Sequence, residues 1–217
     1  MGESYTVTMA KTMLVVGAGE GIGLAVARRF QAAGFLIALS ARNLARIEAD
    51  ARELGGHAYA ADAGDFDAVR GVVAQAERDL GGLDVLVYNV AVPNWKPASE
   101  VSTEELLHDF RANVGGAHAA ILAALPSLKA RGGSVLLTGG GLALYPGAQA
   151  GSLAVGKAGL RSLARSLHAE LGAQGVHVGT VTVMGLVADD QPITAAGVAD
   201  AFWMLYQDRA AEVQYRG

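Results

Sequence analysis

Apolar runs recur along this chain at TMLVVG (12–17), FLIALS (35–40), HAYAAD (57–62), DVLVYN (84–89), SVLLTG (134–139), VHVGTVTV (176–183) and EVQY (212–215). Between them, stretches such as GLAVARRFQAAG (23–34) and DAVRGVVAQAERDLGG (67–82) place apolar residues at helical spacing. The short runs do not alternate apolar with polar residues, which predicts strands covered on both faces. Strand and helix in turn, joined by right-handed crossovers, lead to an α/β domain with one parallel sheet between helical layers. The 217 residues suffice for a single domain of this kind, and no repeat, low-complexity segment or linker divides them. Residues 1–11 are expected to form a loose leader to a domain over 12–217.

The turn after the first run narrows the class. VVGAGEGIGLAVARRF carries Gly17, Gly21 and Gly23 in a G-x-x-x-G-x-G pattern, with Gly19 and Ile22 between them. Glycine suits a strand-to-helix turn whose backbone angles exclude a Cβ. It also lets N–H groups and the helix N-terminus approach a pyrophosphate. A tight turn alone would explain the glycines, but their place after strand one and before helix one makes them a dinucleotide signature. The fold class is therefore a single-domain, Rossmann-type doubly wound parallel sheet.

The end of strand two distinguishes two nicotinamide cofactors. An NAD site usually presents an acid there for the ribose 2′-OH. ALSARN has none, and the next acid, Glu48, lies inside the following helix. Arg42 offers a guanidinium that suits a 2′-phosphate. A solvated surface arginine is the plain alternative, and Glu20 inside the turn disfavours a nearby phosphate. The expected cofactor is NADP, with NAD the alternative.

Composition excludes several other classes. Hydrophobic residues at 52% against 18% charged argue for a large core, and a net charge of −4 without a basic run disfavours nucleic acid or anionic membrane as partner. No apolar run reaches the length of a membrane span, and the N-terminus lacks the features of a signal peptide, so a cytoplasmic location is expected. Without cysteine, and with five histidines lacking HExxH-type pairing, no disulfide or metal site is expected.

Over residues 12–217 the sequence resembles the short-chain dehydrogenase/reductase family. The glycine turn, DAGD (62–65), LVYNVA (86–91), NVGG (113–116) and the helix bearing Lys157 stand in the order and spacing of that family. The resemblance implies that Asp62, with Ala63 beside it, contacts the adenine and that Asn89 supports the cofactor and the central strand. It implies that Asn113 holds a helix kink and a water relaying protons to Lys157, which bonds the nicotinamide ribose. Residues 103–131 and 151–173 correspond to helices that form four-helix interfaces in relatives, implying a homodimer or homotetramer. Plainer readings stand beside these: Asp62 as a helix cap, Asn113 as partner to a kinked backbone.

The chain departs from the family where chemistry is done. The tyrosine expected four positions before Lys157 is Leu153, and the expected serine is Gly140. A leucine cannot donate a proton, and a glycine has no side chain to bond a carbonyl. Tyr145, in the YPG turn after strand five, is a candidate displaced donor. Ser152 lies about 100° around the helix from Leu153, so capping is its expected job. Thr138 shares strand parity with Gly140 but lies deep, and His118 reads as a packed or interface residue. Lys157 itself could serve as the acid. Met184-Gly185 replaces a Pro-Gly, and the following lid is compressed to LVADDQPITAAG (186–197). Two functions follow: an NADP-dependent oxidoreductase for an unknown carbonyl or alcohol with a non-standard proton donor (Lys157, Asn113 and Tyr145 as the catalytic set), or a catalytically silent NADP(H)-binding sensor or partner protein.

Overall fold

The computed structural model describes residues 10–217. Of the expected leader, residues 1–9 lie outside the described residues, while the Lys11 amine donates to the Tyr206 hydroxyl and the Lys11 carbonyl accepts from Leu36 N–H.

Seven parallel strands form one sheet: β1 (Thr12–Val16), β2 (Leu36–Ala41), β3 (His57–Ala60), β4 (Val85–Tyr88), β5 (Ser134–Gly140), β6 (His177–Val183) and β7 (Glu212–Tyr215), in the order β3-β2-β1-β4-β5-β6-β7. All seven expected strands are present, with ends moved by a residue or two. The helices are α1 (Ile22–Gln31), α2 (Leu44–Glu53), α3 (Phe66–Leu80), α4 (Thr103–Phe110), α5 (Gly116–Arg131), α6 (Gly151–Gly172) and α7 (Ala195–Asp208).

The missing polar alternation has a direct cause. On β1, Leu14 and Val16 pack into one core with Leu86 and Tyr88 of β4, whereas Met13 and Val15 pack into the opposite core with Val85 and Val87. Both faces are covered, so both parities must be apolar. Winding runs outward from β1 to β3, then returns to place β4 on the other side of β1. That reversal opens a crevice at the carboxyl ends of β1 and β4, the usual ligand position in such sheets. Local chemistry sets the helix starts: Asp65 accepts from Asp67 and Ala68 N–H at α3, and Ser102 with Glu105 forms a capping box at α4. Among the described residues no helix is long and apolar enough to cross a membrane.

β6 carries a buried titratable group. His177 is 3% exposed, and its Nε2 lies 2.8 Å from the Ala210 carbonyl. A carbonyl only accepts, so Nε2 holds the proton; Nδ1 is buried without a partner. Charging the ring would strand a second proton, and burial lowers its pKa from 6.5 despite the bond to Ala210. The unfolded chain therefore binds a proton that the folded chain resists. Stability is unaffected above about pH 6.5 and falls below it, by at most ~1.4 kcal/mol per pH unit from this group. Urea melts from pH 7.5 to 5 should show a shallower acid loss in His177→Gln than in the parent; identical slopes would assign the loss to other groups.

Candidate active site

At the end of β1 the backbone N–H groups of Gly17 and Ala18 both reach the Ser40 carbonyl, at 2.9 Å each, which bends the chain over β2. Gly17 has φ 85, and a Cβ there would lie 2.8 Å from the Asn89 backbone carbon and oxygen. The turn can sit this close to β4 only as glycine. Gly19 and Gly21, by contrast, face open space, where nothing would meet a Cβ within 4 Å. Beyond them lies a cleft of about 1130 Å³ lined by Gly17, Gly19, Glu20, Arg42, Asp62 and Asn89, among others. Ala63 lines it too, as do Asn43 and Arg46. A bare-backbone floor with guanidinium groups at one end fits a dinucleotide diphosphate carrying a further phosphate.

Asp62 lies on this cleft with its Oδ1 accepting from Gly64 N–H at 2.8 Å. It is not the cap of α3; Asp65 takes that place, because its side chain is the one beside the free N–H groups of the first turn. Arg42 is exposed and forms no ion pair among the described residues. The Asn89 Nδ2 donates to the Gly17 carbonyl at 3.0 Å, joining β4 to the glycine turn. Glu20 is exposed at the junction of this cleft with a second cavity, which also begins at Asn89 and Ala91.

Asn113 sits in a π-turn, Arg111–Gly115, that separates α4 from α5. The Gly116 N–H reaches back to the Arg111 carbonyl, and the Tyr88 hydroxyl donates to the Ala112 carbonyl. Tyr88 is fully buried, which raises its pKa and keeps the phenol neutral. With that carbonyl held aside, Asn113 turns inward: its Oδ1 accepts from Val92 N–H at 2.8 Å, while Nδ2 is buried without a partner. It faces Gly156 on α6, where a Cβ would lie 2.8 Å from Nδ2.

One turn earlier on α4, Asp109 is 3% exposed and accepts from Ser152 Oγ at 2.6 Å and Asn94 Nδ2 at 3.0 Å. Burial opposes its ionisation, but the bonds from Ser152, Asn94 and His108 outweigh it and hold the pKa below the ordinary carboxylate value. The expected capping role of Ser152 is therefore replaced. Its hydroxyl points into the α4–α6 seam, and α6 has no side-chain cap. The same carboxylate fastens the loop bearing Asn94 and Trp95 to α6, reinforced by the Gly151 N–H bond to the Lys96 carbonyl, 3.0 Å.

Lys157 projects into the second cavity, of about 710 Å³, together with Ile22, Trp95, Thr138, Gly140, Tyr145 and Leu186 among others. Its Nζ donates to the Thr138 carbonyl at 2.9 Å, and the Thr138 hydroxyl donates to Asn89 Oδ1 at 2.8 Å. Thr138 thus lines the cavity, but its proton is committed to Asn89. Gly140 faces the lysine stem, whose nearest carbons would lie 3.5–3.6 Å from an added Cβ. Leu153 is buried, 6% exposed, and does not line the cavity. Tyr145 is 69% exposed at the rim, and His118 is exposed on α5 rather than packed. Burial takes the Lys157 amine down to about 8.

The structure brings Gly17, Gly19, Arg42, Asp62, Ala63 and Asn89 to one cleft, and Gly21, Ile22, Asn89, Tyr145 and Lys157 to the adjoining cavity. Gly23 sits beneath, packed on the Gly17 carbonyl. Sequence reasoning missed Tyr88, Asp109, Asn94 and Trp95. Tyr88 had a signal, since a phenol in an otherwise apolar strand needs a buried partner. Asp109 had none in one dimension.

Residues 11–190 match the short chain dehydrogenase family. Among curated proteins, an uncharacterized oxidoreductase of Mycobacterium tuberculosis is 32% identical over 94% of this chain, and the chain spans 62% of that protein's length. L-rhamnose 1-dehydrogenase (NAD(P)(+)) of Azotobacter vinelandii is 34% identical over 83% of this chain and 74% of its own. A metagenomic short-chain oxidoreductase solved with NADP superposes with a TM-score of 0.84 at 27% identity, over 96% of this chain and 98% of that one. A blue fluorescent protein from a metagenomic library, solved with NADPH, gives 0.86 at 27% identity over 94% and 96%. The family match over residues 11–190, the 34% identity over 83% of this chain and the agreement in overall shape lead to one conclusion: the chain belongs to the short-chain dehydrogenase family.

Proposed function

We propose that this protein is an NADP-dependent oxidoreductase interconverting a carbonyl and an alcohol, with Lys157 as its proton donor in place of tyrosine. The observation that carries the reading is continuity: the glycine-floored cleft ending at Arg42 shares Glu20, Asn89 and Ala91 with the cavity that ends at Lys157. Solved relatives holding NADP and NADPH support the cofactor. When bound, the nicotinamide supplies or takes up the hydride. The chain's own residues do the rest. Arg42 pairs with a 2′-phosphate, and the N–H groups around Gly19 and Gly21 receive the diphosphate. Lys157 holds a proton at Nζ for the oxygen that gains negative charge, and its carbonyl partner on Thr138 fixes its direction. Asn113, held inward by the Tyr88-supported π-turn, faces the same helix.

Calorimetric titration tests the cofactor. NADPH should bind more tightly than NADH, and Arg42→Ala should weaken NADPH alone by about tenfold or more, the worth of one charge-assisted pair. Equal binding of both would overturn the Arg42 assignment, and no binding of either would overturn the oxidoreductase reading. A second reading, a silent NADP(H)-binding protein, is favoured by Leu153 and Gly140; it predicts the same binding without turnover. The exposed Leu107, Phe110, Leu122 and Val155 of α4, α5 and α6 support self-association through those helices, as a homodimer or homotetramer.

A further inference from the structure

The second cavity presents three ionisable side chains, Glu20, Tyr145 and Lys157. Glu20 and Tyr145 stand exposed at its entrance, whereas Lys157 comes from the body of α6. The lysine's surroundings are unusual for an amine. Its hydrogen-bond partner is a neutral backbone carbonyl, and it joins no ion pair among the described residues. No side chain stands at Gly140, so the lysine stem is bare on that side, and Leu153 one turn away is apolar. Ile22, Ala91, Trp95, Leu142, Val183 and Val187 supply the apolar wall. An amine in no ion pair among the described residues, facing a largely apolar wall, is the setting in which lysine acts as a nucleophile toward carbonyl carbon.

We infer that Lys157 is a covalent capture site for small aldehydes, forming an imine at Nζ. The inference rests on reading this cavity as a carbonyl site. In the addition, the neutral amine's lone pair forms the N–C bond while the C–O π bond breaks and the oxygen takes a proton. The resulting carbinolamine then loses its oxygen as water and its remaining N–H proton, leaving C=N. No oxidant or reductant is consumed. The depressed basicity of Lys157 adds to the geometry, because a larger share of it is unprotonated near neutral pH than of an ordinary lysine.

The chain has an internal control, since its other lysines, Lys11, Lys96 and Lys129, are exposed. The experiment treats cofactor-free protein at pH 7.5 with propionaldehyde and sodium cyanoborohydride, which reduces any imine to a stable alkylamine. Peptide mass spectrometry then reads the alkylated fraction at each lysine. Lys157 should be modified about tenfold or more faster than the others, as its larger neutral fraction dictates, and Lys157→Arg should lose this fast phase while melting normally. Labelling of Lys157 at or below the rate of Lys129 in the parent protein overturns the inference, whether or not the variant folds. NADPH titration of the same preparation keeps the two readings apart. Binding with uniform labelling defeats only the capture site; selective labelling without binding of either nucleotide defeats the oxidoreductase reading and leaves the capture site standing.

Discussion

Leu153→Tyr combined with Gly140→Ser should raise the rate of carbonyl reduction with NADPH by about 10²–10⁴-fold, the usual worth of a positioned general acid. Local space favours the change at 140. The added Cβ would meet the lysine stem at 3.5 Å or more, ordinary contact rather than overlap, and β5 carries the new hydroxyl to the cavity wall. At 153, the residue lies one helical turn before Lys157 on the same face of α6, so a phenol there stands beside the amine. The ammonium would favour phenolate and bring the tyrosine into a usable range. Neither single change should suffice, since an acid without an orienting hydroxyl leaves the substrate oxygen loosely held. The pH profile identifies the donor. In the parent, Lys157 must be protonated to give a proton, so any reduction should fall as pH rises through about 8. The double variant should follow the new tyrosine instead. Unchanged turnover in a folded variant that binds NADPH would locate the deficit in the cavity wall or the segment after β6 (186–197), not in the missing acid.

The second large effect is structural. Gly17→Ala should destabilise the protein by about 2–5 kcal/mol, combining a positive-φ penalty of ~1–2 with an overpacking penalty of ~1–3. Both apply because φ is 85 and the new Cβ would fall 2.8 Å from the Asn89 backbone, which β-pairing prevents from retreating. Thermal unfolding should move down by about 5–15 °C for a domain of this size. Gly19→Ala provides the contrast. Its Cβ meets nothing in the protein, so stability should change by no more than about 0.5 kcal/mol. It nevertheless projects into the cleft and should weaken NADPH in calorimetry. Equal melting temperatures for the two variants would refute the distinction between the glycine that packs and the glycine that faces ligand.

That contrast marks what a linear reading can reach. Gly17, Gly19 and Gly21 look alike in GAGEGIG, and only the neighbouring strand makes the first obligatory for packing and leaves the others open. Ser152 shows the same limit in reverse: next to a helix start it reads as a cap, yet its hydroxyl serves a carboxylate from α4, 43 residues earlier. Counting along β5 puts Thr138 on the strand face of Gly140, but its bond to Asn89 depends on β4 and β5 lying side by side.

Periodicity and order alone determined the sheet, because strands buried on both faces leave unbroken apolar runs and the helices between them keep a 3.6-residue stripe. The glycine spacing, the absence of an acid after β2 and the leucine four residues before Lys157 were equally legible, being facts about residue type at a counted distance. What each polar side chain touches was decided by tertiary structure. Asp109, Tyr88 and the Lys157 amine find their partners across elements distant in sequence, and in a low-dielectric interior those partners fix charge and direction. A hydrogen bond joins points in space, and one dimension carries no record of which points the fold brings together.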